Sequence, residues 1–270
     1  MPKTPGASGV APYGAWRSPI TAHVLTAGSI RLAGLSAHDG GLVWLEGRPD
    51  EGGRQVIVGR DAEGRISDLL PPPYNARSRV HEYGGQSFFW AGDALYFTHF
   101  PDQRLYRLAA GSPLPVTVES AAALRYTDFA PDPRRERVIC VREDHRPAGR
   151  EAVNELVSLN LRDGESHSLA SGADFYAAPR LSPDGSRLAW LEWNHPNMPW
   201  DGCRLQVADV LADGALGPPV TVAGSEGEAI FQPGWSPGED TPGEDTPGED
   251  TPGEDTPGED TPGEDTPGEG

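Results

Sequence analysis

From residue 30 onward, short apolar runs alternate with turn residues, and the runs come in sets of four. The first set is 30–35, 42–45, 55–58 and 66–69, rich in Leu, Val, Ile and Trp. Asp39-Gly40-Gly41, Glu51-Gly52-Gly53 and Asp61-Ala62-Glu63-Gly64 separate its members. Runs this short, bounded by Gly and Asp, predict β-strands joined by tight turns. The pattern returns at 87–90, 94–98, 104–108 and 116–118, then at 126–129, 137–141, 155–159 and 166–169. A fourth set follows at 178–181, 187–191, 204–208 and 220–222, and 230–235 reads as the first strand of a fifth. Residues 20–27 are a possible short helix in the lead-in.

A common turn marks the sets. Leu181-Ser182-Pro183-Asp184-Gly185 leads into Leu188-Ala189-Trp190-Leu191, and Phe129-Ala130-Pro131-Asp132-Pro133 leads into Val138-Ile139-Cys140-Val141. Trp235-Ser236-Pro237-Gly238 begins the motif again. First strands end at Leu35, Trp90, Phe129, Leu181 and Trp235, at intervals of 55, 39, 52 and 54. Four-stranded propeller blades repeat at roughly 40–50 residues. The extra residues fall in loops such as 144–153 and 194–202. A β-sandwich would also give short strands, but not so readily a similar turn before each second strand. The expected fold is therefore all-β: a partial β-propeller of about four antiparallel blades plus the start of a fifth. A closed ring needs roughly 4–8 blades, and an open arc leaves a strand edge exposed.

Composition divides the chain. From Pro237 the sequence reads Pro-Gly-Glu-Asp-Thr six times and ends Pro-Gly-Glu-Gly. Gly238 onward carries thirteen acids, no base and no apolar side chain other than proline. Such a segment has little to bury and is expected to be disordered. The expected organisation is a lead-in over 1–29, the partial propeller over 30–236 and the repeat tail over 237–270. The whole chain holds 41 acids and 22 bases; without the tail's thirteen, 28 acids face 22 bases. The body is mildly acidic with no basic stripe, so nucleic acid is not expected as a partner. Two cysteines make no disulfide framework, residues 1–19 hold no secretory apolar stretch, and no run reaches the roughly 18 apolar residues that span a bilayer. The expected setting is the cytoplasm, away from membranes.

Little in the sequence carries chemistry. Gly234-Trp235-Ser236-Pro237-Gly238 matches the G-x-S-x-G elbow of α/β-hydrolases. That elbow uses the backbone N–H after the serine, and Pro237 has none. The blade turn explains the match instead. His81-Glu82 lacks the second histidine of a zinc-protease helix, since position 85 is Gly85. His23, His38, His99, His145, His167 and His195 lack ligand spacing, and neither cysteine has a C-x-x-C partner. No nucleotide-binding glycine motif occurs. No metal, cofactor or catalytic residue is expected. Trp44, Trp90, Trp190 and Trp235 are expected to fill wedges between blades. Trp193 and Trp200 flank a proline-rich loop that reads as fixed, with packing favoured over binding for both.

Three segments carry a resemblance: Tyr13-Gly14-Ala15-Trp16-Arg17-Ser18-Pro19-Ile20, Ser78-Arg79-Val80-His81-Glu82-Tyr83-Gly84-Gly85 and Asn194-His195-Pro196-Asn197-Met198-Pro199-Trp200-Asp201-Gly202. With the Ser-Pro-Asp-Gly turn, they resemble the N-terminal propeller of prolyl-oligopeptidase-type serine peptidases. The acylaminoacyl-peptidase and dipeptidyl-aminopeptidase-like branch is most similar, over about residues 12–237. The resemblance implies a propeller, commonly seven- or eight-bladed, that admits short peptides to a C-terminal α/β-hydrolase domain. It implies that the intact parent hydrolyses short peptides or acyl-peptides. The catalytic Ser, Asp and His belong to that missing hydrolase domain, so none is carried over and the chain is expected to be inactive alone. The likeness stops at Pro237-Gly238, which a truncated or frame-disrupted gene product or a sequence-assembly artefact would each explain. Related peptidases that trim from the N-terminus use propeller carboxylates to hold the substrate amine, which makes Glu82 the candidate substrate-binding residue. Its plainer role is to satisfy backbone donors or pair with a nearby arginine. The alternative is a stand-alone propeller that binds or scaffolds, with an acidic interaction tail.

Overall fold

The computed structural model describes residues 12–236, apart from 16, 17, 19, 23, 25–27, 39 and 109–111. Half of the lead-in helix expected at 20–27 and the whole repeat tail lie outside the described residues. Sixteen strands form four four-stranded antiparallel sheets, each in chain order. The first blade is β1 (Arg31–His38), β2 (Gly41–Arg48), β3 (Arg54–Arg60) and β4 (Ile66–Asp68). The second is β5 (Phe88–Ala91), β6 (Ala94–Thr98), β7 (Leu105–Leu108) and β8 (Leu114–Pro115). The third is β9 (Leu124–Asp132), β10 (Arg137–Asp144), β11 (Val153–Asn160) and β12 (Ser166–Ala170). The fourth is β13 (Phe175–Leu181), β14 (Arg187–Trp193), β15 (Arg204–Asp209) and β16 (Val220–Gly224). The described residues form four β-propeller blades.

The wedges between blades are packed with the apolar residues that defined the runs. Val43, Leu45 and Ile57 of the first blade meet Phe88, Leu95 and Phe97 of the second. Phe89 stacks on Phe129 at 4.6 Å between ring centroids, joining the second blade to the third. Ile139, Val141 and Leu156 of the third meet Tyr176, Leu188 and Trp190 of the fourth. Each such side chain, fully buried, contributes about 1.5–3 kcal/mol. The third blade is covered on both faces, and β10 is correspondingly buried along its first five residues. A strand with two covered faces reads as a continuous apolar run rather than an alternation. Trp190 fills its wedge almost completely buried, Trp44 and Trp90 are half-buried, and Trp90 stacks on His38 at 4.0 Å.

One irregularity repeats with the blades. The first strand shifts register against the second at Ala33/Ser36, at Asp128 opposite Ile139/Val141, and at Ala177/Arg180. Gly34, Asp128 and Ala178 take positive φ there, +62°, +55° and +50°. A bulge of this kind bends a strand and raises its twist. Gln232, at φ +52°, repeats the feature 54 residues after Ala178. Residues 230–235 therefore carry the first-strand bend, but pair with no strand among the described residues. They lie against the fourth blade instead. The Trp235 indole N–H donates to the Arg180 carbonyl at 2.8 Å, and the Ile230 N–H donates to Cys203 Sγ at 3.2 Å.

Two expected positions shift. Leu181 pairs with Leu188, and Pro131, not Phe129, pairs with the corresponding Val138. The two strands thus repeat at 50 residues, and Pro133 opens the turn that Pro183 occupies in the next blade. In the second blade the outermost strand is Leu114–Pro115 rather than 116–118. Thr117 is drawn away from regular pairing: its hydroxyl accepts from the Leu105 N–H, and its carbonyl accepts from the Arg104 guanidinium.

Candidate functional site

Residues 78–85 lead from the first blade into the second, and two glycines let the turn press against the third. Gly84 sits at φ +81°, and a Cβ on it would lie 2.8 Å from the Ser78 carbonyl. Gly85 has ordinary backbone angles, but its Cβ would lie 2.5 Å from Asp128 Oδ1 and 2.6 Å from Thr127 Oγ1. The turn is closed by the Glu82 and Gly84 N–H groups, which donate to the Arg79 and Val80 carbonyls. His81 and Glu82 are forced to φ +53° and +63°. Val80 anchors the turn, fully buried in the core between the third and fourth blades. Backbone held in this sparsely populated region costs of order 1–3 kcal/mol per residue and persists only where surrounding contacts enforce it.

Those contacts come from Arg125 on β9 and Glu143 on β10, both buried. The Arg125 guanidinium donates to the Arg79 carbonyl at 2.9 Å, Glu82 Oε1 at 2.6 Å and Glu143 Oε2 at 3.1 Å. Glu143 also accepts the His81 N–H at 3.1 Å and lies 2.7 Å from His145 Nε2. Glu82 keeps 68% of its side chain exposed, and Arg79 approaches its second oxygen only to 3.5 Å. The Arg125 hydrogen bond, before any other influence, holds the Glu82 carboxyl below the usual range. Glu82 thus pairs with Arg125, 43 positions away, and at longer range with the neighbouring Arg79. Glu82 is ionised, tethered by one oxygen and open to solvent at the other.

Aromatic rings flank the turn. His81 meets Phe175 at 5.3 Å, Trp193 at 5.5 Å and Tyr83 at 5.6 Å between centroids. Phe175 stacks on Trp193 and meets His195 edge-on. Burial pushes the His81 imidazole below its ordinary pKa, against the raising influence of the Glu143 and Asp128 charges. The proline-rich loop is fixed as expected. Asn194 Oδ1 accepts the Asp174 N–H, Asp174 Oδ2 accepts the His195 N–H, and the Asn197 amide donates to the Glu226 carbonyl. The loop separates its two tryptophans: Trp193 is buried at 5% exposure, whereas Trp200 stands 67% exposed and does not pack as expected. Arg125, Glu143, His145 and Phe175 complete the site without a signal in the linear sequence, because separate blades supply them.

Four-stranded antiparallel blades packed face to face define the class of the described residues: a β-propeller. Comparison with solved structures narrows it. A puromycin-hydrolyzing peptidase from Mycobacterium tuberculosis is 38% identical over 82% of this chain and 36% of its own, with a TM-score of 0.72. A puromycin hydrolase is 37% identical over 85% and 38%, at 0.73. A mutant puromycin hydrolase complexed with PGG is 38% identical over 84% and 37%, at 0.74. No family model and no curated protein matches the chain. The chain spans little more than a third of the length of these peptidases. The chain matches the propeller portion of these peptidases, which belong to the prolyl-oligopeptidase family.

Proposed function

We propose that this chain is the substrate-gating portion of a serine peptidase, of the acylaminoacyl-peptidase and dipeptidyl-aminopeptidase-like branch. The parent hydrolyses short peptides or acyl-peptides by acyl transfer to a serine on an α/β-hydrolase domain. The observation that carries this reading is the 37–38% identity to puromycin-hydrolysing peptidases across more than four-fifths of the chain. In this reading the propeller restricts entry to short peptides, and Glu82 receives the substrate's free amine. Its support is local: the carboxylate is ionised and mostly exposed, its second oxygen is approached only by Arg79 at 3.5 Å, and it rests on a buried arginine that fixes its position. The cytoplasm suits two buried, unpaired thiols, and no helix among the described residues is long and apolar enough to cross a membrane.

The chain supplies no nucleophile in this proposal. Ser236, its one elbow-like serine, precedes Pro237, which lacks the N–H that an oxyanion hole needs. Treatment of the purified chain with a fluorophosphonate probe, with hydrolysis of aminoacyl and acyl-peptide substrates followed in parallel, tests this. Neither labelling nor turnover is expected. Stoichiometric labelling at Ser236 would overturn the reading.

A further inference from the structure

Next to the turn at 78–85, whose Ser78, Tyr83, Gly84 and Gly85 form part of its wall, lies a cleft of about 620 Å³ lined by the first strands and their approaches. Arg31 at the start of β1, Arg77 before the second blade and Arg180 on β13 all line it, and no Asp or Glu does. They come from the first blade, the segment leading into the second, and the fourth blade, so the grouping is tertiary and does not reflect a basic run in the sequence. The body surrounding it holds more acids than bases, 28 to 22. An acid-free lining in such a body is a local departure from composition.

None of the three forms an ion pair among the described residues. Arg77 places its guanidinium 4.7 Å above the Phe100 ring, and Arg180 donates to the Pro179 carbonyl. Those contacts orient the side chains without neutralising them. Asp128 lies behind the wall at Gly85, and both of its oxygens are occupied: Oδ1 accepts the Gln86 N–H at 2.8 Å and Oδ2 the Ala178 N–H at 2.9 Å. Guanidinium groups present paired N–H donors that match a carboxylate, and low-dielectric walls concentrate their field.

We propose that this cleft binds the carboxylates of a peptide, with Arg31, Arg77 and Arg180 as its anion-holding residues. The inference stands on the cleft alone and does not depend on the peptidase reading. The carboxylates can come from acidic side chains or from a free C-terminus, and the chemistry of the cleft serves both.

The test titrates the full chain with three N-acetylated peptides while the arginine side-chain N–H signals are followed by NMR. The probes are acetyl-Glu-Glu-Gly-amide, acetyl-Gly-Gly-Gly with a free carboxyl, and neutral acetyl-Gln-Gln-Gly-amide. Blocked N-termini remove any contribution from an amine site. Saturable shifts at the three arginines are expected with one or both acidic probes, and which of them binds identifies the source. Those shifts weaken as salt is raised, and none are expected with the neutral peptide. Arg31→Gln with Arg77→Gln, both at exposed positions, is expected to weaken binding about tenfold or more without moving the melting temperature. Arg31→Lys with Arg77→Lys keeps charge and restores part of the affinity. The proposal fails if neither acidic peptide gives saturable shifts, if the neutral peptide binds equally well, or if the double glutamine variant binds like the native chain.

Discussion

Arg125 is the residue on which the candidate turn depends. Its guanidinium is buried and joins Glu82, Glu143 and the Arg79 carbonyl, so truncating it leaves the buried Glu143 carboxylate without its arginine partner. Arg125→Leu is expected to cost about 3–5 kcal/mol in denaturant unfolding, because one buried charge is left behind. A loss below about 1 kcal/mol would show that the turn holds without the pair. Glu82→Gln, at a solvent-facing side chain, should leave stability nearly unchanged and act on binding. A peptide with a free amine is expected to bind about tenfold more weakly to that variant, whereas its N-acetylated twin is unaffected. Equal effects on both peptides, with a lower melting temperature, would assign Glu82 to structure alone. His81 and His99 set the pH response. Burial depresses both imidazole pKa values, so the unfolded chain binds protons more readily than the folded one near its ordinary pKa of about 6.5. Their stabilising effect is complete above that pH and is lost as pH falls through it toward the depressed folded values. Thermal melts should therefore fall between about pH 7.5 and pH 5.5, before the carboxylates protonate. His81→Asn, which tolerates positive φ, should flatten part of that slope. An unchanged slope would exclude His81 as a contributor.

At the scale of the element, the glycines of the turn make a sharper test than its charges. A methyl group at Gly85 would meet Asp128 Oδ1 and Thr127 Oγ1, and Asp128 already accepts N–H bonds from Gln86 and Ala178. One carboxylate on the third blade thus holds the first strands of the second and fourth. Gly85→Ala is expected to cost about 1–3 kcal/mol through overpacking. Gly227→Ala meets nothing within 4 Å and should stay within about 0.5 kcal/mol of the native chain. Similar melting temperatures for the two variants would show that the turn does not press on β9 as described. The strands themselves were legible in the sequence, because each blade repeats four apolar runs with Gly, Asp and Pro between them. The misplacements have physical causes. Thr117 gives its hydroxyl and carbonyl to Leu105 and Arg104, ending regular pairing where a β-branched run predicts a strand. Residues 230–235 have strand-like composition, but strand geometry also requires a hydrogen-bonded neighbour. The candidate turn was legible only as Glu82 and its glycines. Arg125 and Glu143 lie 43 and 61 positions further along the chain, and only blade packing brings them there.

At the scale of the whole molecule, burial is uneven in a way that follows from blade order. The third blade has a neighbour on each face and buries both. Among the described residues the outer blades have a packed neighbour on one side only, and apolar residues on their other side are exposed. Leu32, Leu35 and Ile66 of the first blade are 68%, 72% and 63% exposed; Val220 and Val222 of the fourth, with Phe231 beyond it, are 62%, 56% and 85% exposed. Single exposed apolar residues are ordinary, but groups of them on a sheet that elsewhere packs against another sheet favour association. Electrostatic repulsion opposes this, since the full chain carries a formal charge of −19 at pH 7. Salt separates the two effects, for it screens charge and leaves apolar burial in place. Sedimentation velocity is therefore expected to show self-association that strengthens with protein concentration and with added salt. Leu32→Lys together with Phe231→Lys places a charge on each outer face and should return the chain to a monomer without lowering its melting temperature, because neither side chain is buried. A native chain that stays monomeric at high salt would mean that these residues do not act together. Association that survives the double substitution would place the contact on another surface.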